Sequence, residues 1–241
     1  MNFFATPVCQ TDVFNLKRDC FCCHSRIFAF LQFLPKLQIP MPIYKHQQVN
    51  SIAKLWVWHI TEDEQGLTNN LSLTTHCIDR LKSMSSGTHR KGFLAVRLLL
   101  IAAGLSLDEL RYTSEGKPYL LHGPHISFSH TNDFAAIAIG QAPIGVDVER
   151  HRAKVVRVAK KFVNPADEAP QQTIAELTDL WCAKESMYKA ISIPGIRFSK
   201  DISVNLTISK KGVAIYRDET YDLFRYAWQG HSCAVTIKNQ L

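Results

Sequence analysis

The segment "GVDVER", residues 145–150, places two carboxylates directly after an apolar run, where a buried strand would otherwise stay apolar. On a β-strand, residues two apart point to the same face, so Asp147 and Glu149 would project together from backbone positions ~7 Å apart. Two negative charges this close repel each other unless a cation joins them, and carboxylate oxygens suit Mg²⁺. The segment therefore indicates a magnesium site, with a solvated strand end paired to Arg150 as the alternative.

A second charged motif, "DLWCAKESMYKAI" at residues 179–191, has the spacing of an amphipathic helix. Lys184 falls inside the apolar stripe of this helix, so its ammonium must reach the surface or meet a partner. Glu185 and Lys189 lie four residues apart on one face, which is also the spacing of an ordinary exposed ion pair. If the helix packs beside the 145–150 strand, Glu185 adds a third carboxylate and both lysines face the anion that the metal holds. The apolar stripe consists of Leu177, Leu180, Trp181, Tyr188 and Ile191.

Three further polar features are compatible with phosphate binding. Ser129 and His130, in "FSHTN", offer a hydroxyl and an imidazole at a strand end, and Lys117, in "GKP", lies on a turn stiffened by proline. Arg90, in "THRKG", lies near a predicted helix start, where anions are favoured. Taken alone, such residues are more often solvated surface positions than phosphate ligands.

Composition limits the class of protein. The 241 residues carry a formal net charge of +7 with 46% hydrophobic residues, which indicates a globular protein whose partners bear phosphates or carboxylates. Nucleic acid, phosphorylated cofactors and acidic proteins all fit this charge. The seven cysteines form no pair of CxxC motifs, so free thiols are expected rather than a zinc site. The absence of sorting signals and of a long apolar stretch favours a cytoplasmic protein without a membrane partner.

The periodicity of the chain predicts an α+β fold in which two halves each pair a helix with a sheet. The predicted strands are the segment after residue 41, residues 55–60, the three runs "HISFSH", "FAAIAIG" and "IGVDVE", and an alternating tail. The predicted helices cover residues 89–104, about one turn from Asn164-Pro165, and residues 172–191. Residues 1–40 lack periodicity, and we expect them to be a disordered or artefactual extension before a true start at Met41. Four basic and two acidic residues lie there, so the rest of the chain keeps a charge of +5.

In their order, the motifs "GKP", "FSH", "GVDVER" and "WCAKESMYKA" resemble the 4′-phosphopantetheinyl transferase superfamily, specifically its monomeric, two-lobed kind similar to surfactin-synthetase activating enzymes. The resemblance covers the chain from about residue 50 to about residue 235. It implies an enzyme of the holo-[acyl-carrier-protein] synthase type. Such an enzyme transfers the 4′-phosphopantetheine arm of coenzyme A to a serine of an apo acyl or peptidyl carrier protein and releases adenosine 3′,5′-bisphosphate.

The resemblance also implies roles for the acidic and lysine residues of the two main motifs. Asp147, Glu149 and Glu185 match the carboxylates that hold Mg²⁺ in the family. Lys184 and Lys189 match its pyrophosphate lysines. Because a serine hydroxyl is a poor nucleophile at neutral pH, a base must take its proton, and we assign that role to Glu185, with Lys184 offsetting charge on the leaving group.

The remaining polar features match the family's coenzyme A contacts. His130, together with Ser129, matches a pair that touches the nucleotide phosphates, and Lys117 matches a lysine near the adenine and phosphate. Arg90 resembles the arginine that grips the 3′-phosphate. Gly92 departs from the family pattern, in which a bulkier residue is common.

The resemblance further implies two similar α/β lobes that form a pseudo-dimer, with the active site in the cleft between them. Residues 41–142 would form the N-terminal lobe and residues 143–241 the C-terminal lobe of a monomer. An acidic helix of the carrier protein would fit the basic surface, and nucleic acid would not be a partner. Two other functions remain open: a Mg²⁺-dependent nuclease or phosphohydrolase, and a non-catalytic RNA-binding module.

Overall fold

The strands of the chain form two larger antiparallel sheets and one small hairpin. The computed structural model describes residues 43–206 and 210–239, so the expectations for residues 1–40 lie outside the described part. The order of elements is β1 Ile43–Asn50, β2 Ala53–His59, α1 Glu64–Asn69, α2 Thr75–Lys82, α3 Gly87–Ala102, β3 Leu110–Tyr112, β4 Pro118–Leu120, β5 His125–His130, β6 Phe134–Gly140, β7 Ile144–Arg150, α4 Lys154–Val158, a 3₁₀ turn Ala159–Lys161, α5 Ile174–Ile191, α6 Phe198–Asp201, β8 Ile202–Asn205, β9 Lys211–Tyr216, β10 Glu219–Trp228 and β11 His231–Lys238. The predicted α+β class is confirmed.

The first sheet has the strand order β1-β2-β6-β5 and packs against helix α3. Ser86 begins this helix by accepting a hydrogen bond at its hydroxyl from the main-chain nitrogen of His89. The helix then buries an unbroken run from Gly92 to Leu100, because neighbouring elements cover more than one of its faces. Arg97 is the only charged residue in that run.

The second sheet has the strand order β7-β11-β10-β9-β8 and packs against helix α5. Thr173 starts α5 with a capping box: its hydroxyl accepts from the main-chain nitrogen of Glu176, whose carboxylate accepts from that of Thr173. The helix ends at Ser192 in the left-handed conformation. The boundary between the two sheets falls between residues 140 and 144, near the predicted lobe boundary, and two similar lobes stay a prediction.

Strand β7 joins the two sheets. Val146 and Val148 belong to an apolar cluster with Val57 and Phe134 of the first sheet. The alternate residues of β7 turn toward α5, as a strand's period of two requires. One strand thereby contributes to the contact between the sheets and also carries the two acidic residues.

Gly145 allows α5 to lie directly on β7. A Cβ at this position would overlap the main-chain oxygen of Ser186 and would lie 2.8 Å from the main-chain nitrogen of Ala190. One turn earlier, the buried Cys182 thiol donates to the main-chain oxygen of Asp147 at 3.1 Å. The close approach of strand and helix therefore fixes the position of Asp147 along α5.

The segment that begins at Asn164-Pro165 is a turn, and the helix start predicted there was wrong. The Asn164 side-chain oxygen accepts from the main-chain nitrogen of Ala166 at 3.0 Å, and the Asp167 carboxylate accepts from that of Asn164 at 2.8 Å. Asn and Asp side chains accept main-chain hydrogen bonds in turns as they do at helix starts, so the sequence does not distinguish the two structures. The short helix α4 lies earlier, at Lys154–Val158.

A buried ion pair ties α5 to this turn. The Lys184 ammonium lies 2.7 Å from the Asp167 carboxylate, and both side chains are 0% exposed. Lys184 also donates to the main-chain oxygens of Phe198 and Ile202 at 3.1 and 3.0 Å. The three acceptors lie on the Asn164 turn, on α6 and at the start of β8, so Lys184 connects these segments to α5.

Cysteines 77, 182 and 233 are buried free thiols, and the other four cysteines lie outside the described residues. None of the helices in the described ranges is long and apolar enough to cross a bilayer.

We expect Lys184→Met to lower the free energy of unfolding by about 3–5 kcal/mol, because it leaves the Asp167 carboxylate buried without a cation. Urea unfolding followed by circular dichroism measures the change, with the exposed Lys82→Met as the matched control. Adding Asp167→Asn to Lys184→Met should recover part of the loss. If Lys184→Met and Lys82→Met unfold at the same urea concentration, the ion pair does not support the fold.

Candidate active site

A cavity of about 560 Å³ opens between α3, the β3–β4 hairpin, β5 and the end of α5. Its walls combine aromatic rings with cations, whereas Glu115 is the only carboxylate among its lining residues. A cavity of this size and character suits a ligand with a flat ring and several negative charges. The cationic and imidazole side chains that line it are Arg80, His89, Arg97, Lys117, His130 and Lys189.

Asp147 lies beside this cavity and is held at one oxygen only. Its Oδ1 accepts from the Ser129 hydroxyl at 2.8 Å and from the Lys189 ammonium at 2.7 Å. Its Oδ2 is buried and has no hydrogen-bond partner in the described part of the chain, and the residue is only 4% exposed. A buried carboxylate oxygen without a partner is costly, so Oδ2 marks a place where a ligand is expected.

Glu149 and Glu185 carry raised pKa values next to Asp147. Burial, followed by the charge of Asp147, raises the pKa of Glu149, although the Trp181 ring nitrogen donates to it at 3.3 Å. Burial, again followed by Asp147, raises the pKa of Glu185 to about 7, with Lys189 acting in the opposite direction. The three carboxylates therefore act on one another electrostatically.

The donor chemistry of this acidic group fits a hard divalent cation. Carboxylate oxygens are ligands that Mg²⁺ prefers, and Asp147 Oδ2 has no partner that would prevent it from binding a cation in the described part of the chain. Within residues 43–206 and 210–239, however, no three His, Cys, Asp or Glu side chains converge closely enough to form a metal centre. The Lys189 ammonium lies against Asp147 instead and supplies the positive charge.

Only one of the two predicted lysines lies at this site. Burial acts to lower the pKa of Lys189, but its contact with Asp147 outweighs this effect, so the net pKa is raised and the ammonium stays charged. Lys189 also lines the cavity. Lys184 is absent from the cavity lining because its ammonium is enclosed with Asp167, which corrects the expectation that both lysines face one anion.

His130 and Lys117 line the cavity, and Ser129 lies at its acidic end next to Asp147. Ser129 orients Asp147 through its hydroxyl. His130 lines the cavity, and burial, followed by the charges of His89 and Lys189, lowers its pKa, so the imidazole is neutral near pH 7. Burial also lowers the pKa of Lys117.

Arg90 does not line the cavity, which corrects its assignment to a phosphate. Its Nε lies 2.8 Å from the Glu64 carboxylate, and its Nη1 donates to the main-chain oxygens of Met84 and Ser85 at 3.1 Å each. A cation with a carboxylate and two carbonyl partners has little capacity left for a ligand. The pairing joins α3 to α1, 26 residues earlier in the chain.

Arg97 and Arg80 also line the cavity, and neither was among the candidate residues identified from the sequence. Arg97 is 2% exposed, donates to the Phe93 main-chain oxygen and the Tyr112 hydroxyl, and has a buried Nε without a partner. Among the described residues no carboxylate pairs with it, so its charge is available to the cavity. A charged residue inside an apolar helical run was the available signal, as it was for Lys184. Arg80 lies over the Tyr112 ring at 3.9 Å from the ring centre, and nothing in the sequence pattern distinguished it.

The family comparison matches residues 143–236 to the 4′-phosphopantetheinyl transferase superfamily. A 4′-phosphopantetheinyl transferase named gsp, from Aneurinibacillus migulanus, is 27% identical over 130 residues, which cover 48% of this chain and 55% of that protein. A 4′-phosphopantetheinyl transferase from Bacillus subtilis is 31% identical over 109 residues, covering 40% and 47%. The 4′-phosphopantetheinyl transferase AcpT of Salmonella typhimurium is 30% identical over 114 residues, covering 43% and 59%.

The chain thus matches about half the length of these relatives. The matched segment contains strand β7 and helix α5, and with them every carboxylate of the acidic group. The resemblance predicted from the motifs is confirmed for this segment. This segment, with strand β7 and helix α5, is therefore similar to the 4′-phosphopantetheinyl transferase superfamily.

Proposed function

We propose that this protein transfers the 4′-phosphopantetheine arm of coenzyme A to a serine of an apo carrier protein. The observation that carries the proposal is the buried, unpartnered Asp147 Oδ2, which lies next to Lys189 at the edge of a cationic cavity. An anionic ligand and a hard cation would together satisfy both groups. A pyrophosphate that bridges the cavity and the acidic group meets this requirement.

The cavity supports coenzyme A as the donor of the phosphopantetheine arm. Arg97 and Lys117 line it without a carboxylate partner among the described residues, so their charges can offset phosphate oxygens. Phe93, Tyr112 and Phe128 supply aromatic surface for a nucleobase. Arg97 and Arg80, rather than Arg90, are the candidate ligands of the 3′-phosphate, because they line the cavity.

The acidic group supports a role for Mg²⁺. Asp147 would bind the ion through its unpartnered Oδ2, and Glu149 and Glu185 would join it once their side chains turn toward it, since the three carboxylates do not converge in the ligand-free chain. When bound, the ion supplies charge neutralisation at the pyrophosphate. Lys189 already contacts Asp147 and would stay close to the same oxygens. Its ammonium would then stabilise negative charge that develops on the leaving phosphate.

Glu185 is the base that the surroundings favour. With a pKa of about 7, its carboxylate can accept a proton near neutral pH. It takes the proton of the carrier serine while the serine oxygen attacks the phosphorus that bears the pantetheine arm. The P–O bond to adenosine 3′,5′-bisphosphate breaks, and the leaving group keeps the electron pair.

A basic surface after β7 supports an acidic carrier protein as the second substrate. Residues 152–161 expose five cations and no acidic residue, and they begin three residues after Glu149. Val156, 53% exposed, gives this surface an apolar point. An acidic amphipathic helix has the complementary charge and apolar face. The five cations are Arg152, Lys154, Arg157, Lys160 and Lys161.

Incubation with coenzyme A, Mg²⁺ and a panel of apo carrier proteins tests the function, read as the mass gain of each carrier protein. We expect Asp147→Asn to lower the transfer rate at least about 100-fold, because it removes charge that the cation and Lys189 need. The exposed Asp79→Ala is the control and should keep the wild-type rate. Release of nucleotides or phosphate without a carrier protein would instead identify a hydrolase. A gel shift with generic RNA and no mass gain would identify an RNA-binding module.

The pH dependence follows from Glu185. We expect the turnover rate to fall about tenfold per pH unit below the pKa of Glu185, because the protonated acid cannot accept the serine proton, and to level off above it. That pKa is about 7 without a cation, and a bound cation lowers it, so the midpoint should lie at or below 7. A turnover rate that stays constant from about pH 4 to about pH 8, a range that includes the usual pKa of a glutamate, would remove Glu185 from the role of base.

Charge reversal tests the carrier surface. The double variant Arg157→Glu/Lys160→Glu should raise the KM for the carrier protein about tenfold at low salt and leave the KM for coenzyme A unchanged, because only carrier docking uses these charges. Lys54→Glu, on the exposed side of strand β2, is the matched control. Equal carrier KM values for the double variant and the control would place docking on another surface.

A further inference from the structure

Gly92 lies in the middle of helix α3 and against the ring of His130. A Cβ at position 92 would overlap Cγ and Nδ1 of the imidazole and would lie 2.8 Å from its Cε1. These atoms belong to a planar ring, so the overlap cannot be relieved by bending a flexible chain end. Any residue other than glycine would force His130 to rotate away from α3.

Glycine at position 92 lowers the stability of helix α3. A glycine in a helix interior destabilises it by about 1 kcal/mol relative to alanine. Gly92 is buried and has ordinary helical backbone angles, so no turn and no positive φ requires it. The contact with His130 is the feature of this position that excludes a side chain.

His130 is part of the cavity, and its direction decides what it can reach. The imidazole lines the cavity, lies 5.8 Å from the His89 ring in an edge contact, and is close enough to Lys189 for the two to interact electrostatically. With α3 on one side and the cavity on the other, a ring displaced from Gly92 must move into the space that a ligand would use. The helix backbone at Gly92 therefore sets the position of the ring.

We propose that Gly92 is a positioning residue. It holds the His130 imidazole in the orientation from which a ring N–H donates a hydrogen bond to a phosphate oxygen of the bound donor substrate. The inference rests on the proposed function for the identity of that substrate. Gly92 itself touches neither substrate nor reacting atoms. Its effect acts through His130 alone, and this condition makes the inference testable.

The experiment compares Gly92→Ala, His130→Ala and the double variant, with Gly87→Ala as the matched control on the same helix. An added Cβ at Gly87 meets only the Arg90 guanidinium, at 3.6 Å. We expect Gly92→Ala and His130→Ala each to raise the dissociation constant and the KM for coenzyme A about tenfold, the effect of one charge-assisted hydrogen bond, with turnover little changed. The double variant should bind no more weakly than His130→Ala, and Gly87→Ala should bind as the wild type does.

Thermal unfolding adds a second readout that does not need coenzyme A. Gly92→Ala should raise the melting temperature in the His130→Ala background, where the overlap is gone and the helix gains alanine, and should fail to raise it in the wild-type background. This comparison also covers the case in which Gly92→Ala alone does not fold, since the double variant removes the overlap.

Three results would overturn the inference: wild-type affinity in Gly92→Ala, additive losses in the double variant, or equal melting shifts in the two backgrounds. The ring proton resonances of His130 in the ligand-free protein should also shift in Gly92→Ala and stay in place in Gly87→Ala. If the wild-type protein binds no coenzyme A, the proposed function fails. The ring resonances and the melting temperatures then still decide whether Gly92 positions His130.

Discussion

The close contact between helix α5 and strand β7 at Gly145 is the constraint on which the acidic site depends. Without a Cβ there, the helix backbone contacts the strand directly, and residues from two distant parts of the sequence lie side by side. Asp147 can then meet Lys189, and the Glu185 carboxylate falls within the electrostatic reach of Asp147. A side chain at 145 would move the helix outward and separate these groups, whatever their chemistry.

The cations at the cavity, and those that the sequence assigned to it, divide into two groups according to the carboxylates near them. Lys184 and Arg90 each have a carboxylate partner close by, so they hold elements together. Arg97 and Lys117 line the cavity with no such partner in the described ranges. Lys189 belongs to both groups, because it pairs with Asp147 and also faces the cavity. Burial of a cation thus says little about its role until its counter-charge is located.

The sequence predicted elements better than it predicted partners. Strand and helix periods are local, so the order of β5, β6, β7 and α5 and the shared face of Asp147 and Glu149 followed from spacing alone. The partner of Lys184 lies 17 residues earlier and that of Arg90 26 residues earlier, and no local pattern reports such contacts. The turn at Asn164 was mistaken for a helix start because side-chain capping looks the same in both.

The asymmetric environment of Asp147 has a consequence for the ligand-free protein. Since Lys189 and Ser129 both bind Oδ1, the carboxylate has an internal counter-ion and a fixed direction while its other oxygen stays available. The burial of Asp147 is therefore offset by a charge from within the chain, so the contact between β7 and α5 needs no divalent ion to balance this carboxylate.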